Sequence, residues 1–349
     1  MIVEVCWGFW PPLTTVHIPR RHDRGSGGRD RDGAKPGRPG KGGGRKSRCA
    51  MSLGRMLAVC LGVVALAVPV ALAEWPADPN VNLPVSCRED SQEQAKVAAA
   101  PQGGWYLSWY DNDPYGGTPY GYDVYLQLLD ANGNALWPCP GVLVADRSLS
   151  WTTDYDLVVD RRGNAILAFN DYVNDQGLLW VVSYDAAGRQ LWKTSLGREG
   201  GEKGTPKLAI TTDHNIAVGY WDEDRLAVSM LRSNGSVLWD YLADAPKIGY
   251  YLIADIAASE RGAVIVSFTF NGLQTNIGAP LTYLMANKFA ADGQPLWGRN
   301  GVTVWNAGFL ERGQFPSCAS DGRGGAIFVF RTIRPLADVV AQRVNSSGY

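Results

Sequence analysis

Three short phrases join an aromatic side chain to a carboxylate: Trp109-Tyr110-Asp111, Phe169-Asn170-Asp171 and Tyr220-Trp221-Asp222. A flat ring beside a carboxylate suits a sugar, because the ring stacks on the pyranose face while the polar group bonds its hydroxyls. Further aromatics belong to the same loops, namely Tyr115, Trp151 and Trp305, with Tyr120, Tyr172, Tyr250, Tyr251 and Phe309 around them. The candidate ligand-binding set is therefore Trp109, Asp111, Tyr115, Trp151, Asp171, Trp221, Asp222 and Trp305. The same carboxylates could serve acid–base chemistry, since hydrolysis of a glycoside needs two carboxyl groups about 5 to 9.5 Å apart. Against that, Asp111, Asp171 and Asp222 occupy equivalent places in a repeat. Catalytic acids need unlike surroundings to set their pKa values apart. An aspartate that opens a loop also caps a turn. No catalytic residue is assigned from the sequence.

Other chemistries find little footing. From residue 74 onward the only histidine is His214, in a turn, so neither a serine–histidine pair nor a Cys/His metal spacing exists. The glycine clusters follow no strand-to-helix pattern, so no phosphate cradle is expected. No cofactor or metal is expected.

The elements that must hold these residues are short strands in a repeat. Asn132-Gly133-Asn134-Ala135-Leu136-Trp137 returns as Ala187-Gly188 to Trp192, as Asn234-Gly235 to Trp239 and as Asp292-Gly293 to Trp297. A fifth copy starts at Ser346-Ser347-Gly348-Tyr349. Counted from Trp75, the tryptophans recur every 62, 55, 47 and 58 residues. Repeats of that size built from short strands indicate propeller blades. Each unit carries a small-sided first run (94–99, 155–159, 206–210, 253–258, 316–320) and an apolar second run (105–109, 165–169, 216–221, 263–268, 326–330). An alternating third run follows (122–129, 178–184, 225–231, 283–289, 338–344), then the glycine turn and the Leu-Trp run. Glycine supplies the positive φ that the hairpin needs. Small residues suit the crowded centre, and bulky second runs suit packing between blades. The class is all-β: a β-propeller of five four-stranded blades. The segment after Glu74-Trp75 reads as a strand without a blade, and the last unit lacks its Leu-Trp strand, so the N-terminal strand is expected to complete the last blade. Such closure would remove two sheet edges.

The phrase Asp-Ala-x-Gly-x-x-Leu-Trp, closest at Asp130 to Trp137 and Asp185 to Trp192, resembles the tryptophan-docking repeat of quinoprotein-like (PQQ-like) β-propellers. The last unit is similar to repeats of large secreted bacterial proteins. The resemblance implies the fold and leaves activity open. Without a vicinal cysteine pair or a calcium-ligand motif, the quinone is not carried over.

Composition divides the chain. Residues 1–50 hold 11 Lys/Arg against 4 Asp/Glu amid many glycines and are expected to be disordered. Residues 51–73 pair a basic start with an apolar run and a small-x-small site, which reads as a secretory signal peptide. Met51 is then the expected start. The run is short for a membrane span and contains Pro69, so no stable span is expected in the mature chain. Residues 74–349 form the propeller domain and carry 21 Lys/Arg against 30 Asp/Glu, an acidic balance that argues against nucleic acid. Cys87, Cys139 and Cys318 allow one bridge and one free thiol, with the pairing open. The expectation is a secreted, periplasmic or cell-surface monomer: a non-catalytic propeller that binds a glycan or protein through its loop face. The alternative is a glycosidase using carboxylates from successive blades.

Overall fold

The computed structural model describes residues 75–89, 91–112, 121–174, 176–272, 282–307, 309–310, 315–334 and 337–349. The readings made for 1–50, 51–73, Tyr115 and Tyr120 lie outside these residues. The expected first, second and third runs of every unit are strands, and the strands form five antiparallel four-stranded sheets. Blade 1 holds β1 (Gln92–Ala99), β2 (Trp105–Asp111), β3 (Asp123–Leu129) and β4 (Val142–Ala145). Blade 2 holds β5 (Asp156–Val159), β6 (Ala165–Val173), β7 (Gln176–Tyr184) and β8 (Gln190–Leu196). Blade 3 holds β9 (Lys203–Ile210), β10 (Ile216–Asp222), β11 (Arg225–Leu231) and β12 (Val237–Leu242). Blade 4 holds β13 (Tyr250–Ala258), β14 (Val264–Asn271), β15 (Thr282–Phe289) and β16 (Val302–Trp305). Blade 5 holds β17 (Phe309–Leu310), β18 (Ser317–Ser320), β19 (Ala326–Arg334) and β20 (Val339–Val344). The one helical turn among the described residues is a 3-10 turn at Glu260–Gly262.

The first strand of blades 1 to 4 and β18 of blade 5 are innermost: β1 packs on β5, β5 on β9, β9 on β13 and β13 on β18. The bulky second strands fill the spaces between neighbours. Tyr106, Tyr110 and Leu126 of blade 1 meet Leu157, Leu167 and Phe169 of blade 2 in one core. Three more cores follow between blades 2 and 3, 3 and 4, and 4 and 5.

The repeated tryptophans join the blades at their outer side. Each indole N–H donates to a carbonyl in the glycine turn of the next blade: Trp137 to Ala186 at 3.0 Å, Trp192 to Ser233 at 3.0 Å, Trp239 to Ala291 at 2.8 Å and Trp297 to Ser346 at 3.1 Å. The ring lies over the turn glycine, and a Cβ would collide with it at Gly235, 2.5 Å from Trp192, and at Gly293, 2.8 Å from Trp239. In blades 1 and 4 the Leu-Trp phrase touches the third strand by a single bridge, and β4 and β16 start only after Gly141 and Gly301. Pro138 and Pro140 explain the delay in blade 1, because proline has no N–H to give a ladder.

The N-terminal segment differs from the expectation. Residues 75–89 contain no strand, and the fifth sheet is β17 to β20 without them. Pro76, Pro79 and Pro84 punctuate the segment and deny it a ladder. Its tryptophan nevertheless takes the docking position that a preceding blade would use. Trp75 Nε1 donates to Ala131 O at 3.1 Å, and the ring stands edge-on to Trp105 at 5.3 Å. A Cys87–Cys139 disulfide and an Arg88–Asp111 ion pair of 3.1 Å hold the segment on blade 1 as a strap. Cys318 is the free thiol among the described residues, and burial pushes its pKa up.

Candidate active site

The three repeated aspartates are expected to open loops, but Asp111 and Asp222 are the last residues of β2 and β10, Asp171 lies within β6, and all three are buried. The loop entering each blade brings an arginine to its aspartate. Arg88 Nε donates to Asp111 Oδ1 at 3.1 Å, while Trp109 Nε1 donates to Oδ2 at 3.2 Å. The Arg198 backbone N–H donates to Asp222 Oδ2 at 3.3 Å, and its guanidinium lies 3.5 Å from Oδ1. Arg147, fully buried, feels the charge of Asp171, donates to Asn170 Oδ1 at 3.2 Å and rests 4.6 Å from the Tyr110 ring centre. The repeat thus sets three carboxylates into separate loop-to-blade joints. Trp109 is buried and stacks on Tyr125 at 6.0 Å. Trp305 tilts on Phe330 at 5.5 Å, wedged between blades 4 and 5. Trp151 is exposed. Trp221 is half-buried and pairs with Gly204 of the innermost strand, close to Thr153. His214 sits in the turn between β9 and β10 with its Nε2 2.8 Å from Arg161 Nη1.

A second set of charged groups, absent from the sequence-based candidates, meets on the innermost strands. Glu93 and Lys96 lie on β1, Asp154 just before β5, and Lys207 on β9. Lys96 Nζ donates to Asp154 Oδ1 at 2.6 Å, and Lys207 Nζ donates to Oδ2 at 2.5 Å. Blades 1 and 3 are thus linked through a carboxylate of blade 2. Lys207 also lies 5.5 Å from the ring centre of Phe315, which leads into blade 5. Glu93 Oε1 accepts from the Tyr122 hydroxyl at 2.9 Å, and Oε2 accepts from Thr152 at 3.5 Å. Gln94 donates to Thr152 Oγ1 at 2.8 Å, and Thr153 donates to Asn170 Oδ1 at 2.8 Å. Glu93, Thr152 and Asp154 therefore sit together where the innermost strands of blades 1 and 2 adjoin.

A bulge makes this possible. In β1 the register slips between Glu93 and Lys96, and Gln94 takes a φ of 51°. Glu93 then pairs with Tyr110 and Lys96 with Ser108, two residues apart on β2. Both side chains consequently face blade 2, where regular alternation would have sent one away. The same bulge recurs in β9, where Thr205 has a φ of 46°.

The two carboxylates have unlike surroundings. Burial works to raise the pKa of Asp154, but the Lys207 and Lys96 ammonium groups overcome it and hold the carboxyl below its usual range. Glu93 meets hydroxyl groups instead. A third carboxyl, Asp123, stands across the ladder from Asp111 and is pushed up to about 6, chiefly by burial. Among the described residues no cluster of three or more His, Cys, Asp or Glu could hold a metal ion, and no helix is long and apolar enough to cross a membrane.

No family model and no curated protein matches the sequence. Solved propellers match in fold. The α-L-arabinofuranosidase Arb93A of Fusarium graminearum is 14% identical, with 76% of this chain and 96% of that one covered and a TM-score of 0.43. A family 43 endo-arabinanase of Bacillus licheniformis is 11% identical over 72% of this chain and 95% of that one, with a TM-score of 0.39. An ulvan lyase of polysaccharide lyase family 25 is 9% identical over 71% and 69%, with a TM-score of 0.46. All three are carbohydrate-active enzymes, which contradicts the expectation of a non-catalytic binder; the likeness itself is one of fold.

Proposed function

We propose that this propeller is a carbohydrate-active enzyme that breaks a glycosidic bond, with Glu93 and Asp154 as its carboxyl groups. The observation that carries the reading is that Glu93 on β1 and Asp154 just before β5 come together in unlike surroundings. Asp111, Asp171 and Asp222 follow the repeat, each met by an arginine. Glu93 and Asp154 break it, as acid and base roles demand. Asp154, held ionised between two lysines, suits the base or nucleophile. Glu93 takes the role of the acid. The exposed Trp151 and the half-buried Trp221 supply apolar faces for sugar rings, with Thr152 and Gln94 as hydroxyl partners. In this reading the chain is exported, with 51–73 as its signal and 74–349 as the working domain in the periplasm, at the cell surface or outside. Its repeats are of the quinoprotein-like kind, used without the quinone.

The test is reducing-sugar release from a panel of plant, algal and bacterial polysaccharides. Glu93→Gln and Asp154→Asn should each lower kcat by ~10² to 10⁴. A Lys96→Met/Lys207→Met variant should move the acid limb of the pH profile upward, because Asp154 loses the charges that hold its pKa down. Turnover unchanged in both carboxyl variants, or no cleavage across the panel, would overturn the proposal.

A further inference from the structure

Two blades delay their outer strand, and they use the space differently. In blades 1 and 4 a wide turn follows the docking tryptophan, Pro138 to Gly141 and Gly298 to Gly301, before β4 and β16 begin. In blade 1 this turn carries Cys139 and is fastened to the strap by the disulfide. In blade 4 it carries Arg299 and Asn300, both exposed, and it reaches the outer strand of blade 3. Blade 3 meets it with Tyr241, two residues after its docking Trp239. The same place in blade 2 holds Thr194, whose short side chain turns to Gly235 O at 2.8 Å. The result is an open cleft of about 230 Å³ between blades 3 and 4, walled by Tyr241, Tyr251, Phe268, Asn287, Arg299 and Asn300.

The walls are held in place by the protein itself. The Tyr241 hydroxyl donates to Arg299 O at 2.6 Å, and its ring packs on Phe289 at 4.7 Å. Tyr251 stands edge-on to Phe268 at 5.4 Å. Asn287 Nδ2 donates to Gly298 O at 2.9 Å and so fixes the wide turn. Arg299 and Asp244 form a bidentate pair across the junction, Nε to Oδ2 and Nη2 to Oδ1, both at 2.8 Å. A ligand that enters fixed walls loses little affinity to ordering them.

The groups left over select a kind of ligand. The ion pair is neutral in sum, so the cleft has no net charge to match with an ion. The Tyr251 hydroxyl and the Asn300 amide have no hydrogen-bond partner among the described residues. Between them they offer both donors and acceptors. A hydroxyl group, which also does both, fits that set, whereas an ionised carboxylate only accepts. The tyrosine rings and Phe268 supply apolar area for the C–H face of a ring. Drug-sized ligands occupy about 300 to 1,000 Å³, so this cleft holds one sugar ring.

We propose that the cleft between blades 3 and 4 is a binding site for an uncharged sugar, separate from Glu93 and Asp154. Tyr241 lies on the outermost strand of blade 3, whereas Lys207, which meets Asp154, lies on the innermost strand of the same sheet. The cleft gives the chain a second hold on a polysaccharide, and it does so whether or not the two carboxyl groups are catalytic.

Saturation-transfer NMR of the full chain, titrated with neutral trisaccharides of glucose, xylose and arabinose, should detect at least one with a Kd of ~0.1 to 10 mM. The variant Glu93→Gln/Trp151→Ala/Asp154→Asn removes the inner site from the reading and should keep that binding. In this background Tyr251→Ala should raise Kd ~10-fold or more. Arg299→Ala, at an exposed position with little risk to folding, should act in the same direction, and near-UV circular dichroism checks that both stay folded. Binding by none of the three probes would overturn the proposal. So would binding that disappears with the inner groups, binding that survives both folded cleft variants, or a trisaccharide of galacturonic acid that binds there more tightly than the neutral ones.

Discussion

Gly235→Ala tests the docking of tryptophans that holds the blades together. Gly235 has a φ of +84°, a conformation that costs an L residue ~1–2 kcal/mol. An alanine Cβ would also stand 2.5 Å from Cδ2 and 2.6 Å from Cε3 of Trp192, so the indole must move. Moving it gives up the 3.0 Å bond from Nε1 to Ser233 O, worth ~1 kcal/mol, and part of the ring's contacts, worth about as much again. The loss should total ~3–4 kcal/mol. Gly322→Ala provides the control, because its φ is +70° but nothing lies within 4 Å of the added carbon. That variant should lose only the ~1–2 kcal/mol of backbone strain. In a domain of this size the gap of ~2 kcal/mol corresponds to ~4–8 °C in Tm. Scanning calorimetry and urea titration of the two variants measure it. Equal losses at the two sites would show that the indole contact contributes nothing.

Two more outcomes follow from the strap and its surroundings. The Cys87–Cys139 bridge closes a separation of 52 residues, so the double variant Cys87→Ser/Cys139→Ser should lose ~4 kcal/mol by the loop-entropy relation. Urea unfolding should show that loss, while Cys318→Ser leaves the strap in place. Asp123 has its pKa raised from 3.8 to about 6, mainly by burial. The folded state therefore binds the proton more tightly than the unfolded one. The associated stability is fully present below about pH 3.8 and is lost as pH rises through about 6. Stability of the wild type relative to Asp123→Asn should fall across that window, as followed by chemical denaturation at several pH values. A flat difference would contradict the assignment.

The period of the chain carried most of the fold. Alternating runs and glycine turns fixed the strands to within a few residues, because a half-buried strand must alternate and a tight hairpin must take positive φ. The tryptophans were legible as packing residues because they recur in one register, and each indole indeed meets the next blade's turn. The strap was only half legible: Trp75 showed its kinship with the repeat, while the prolines that keep 75–89 out of the sheet pointed against a strand.

The site was the harder part. Asp111, Asp171 and Asp222 drew attention because they repeat, and repetition is what joints between identical units require. Lys96, Asp154 and Lys207 had a visible signal, charges set into runs of small residues destined for the crowded centre. Their meeting depends on blades more than 50 residues apart in sequence and on a bulge at Gln94 that turns Glu93 and Lys96 to one side. Sequence alone determined the first three strands of each blade and the residues that pack the blades, since these follow from local periodicity. Tertiary structure alone decided which charges converge, because a one-residue slip reverses every side chain beyond it.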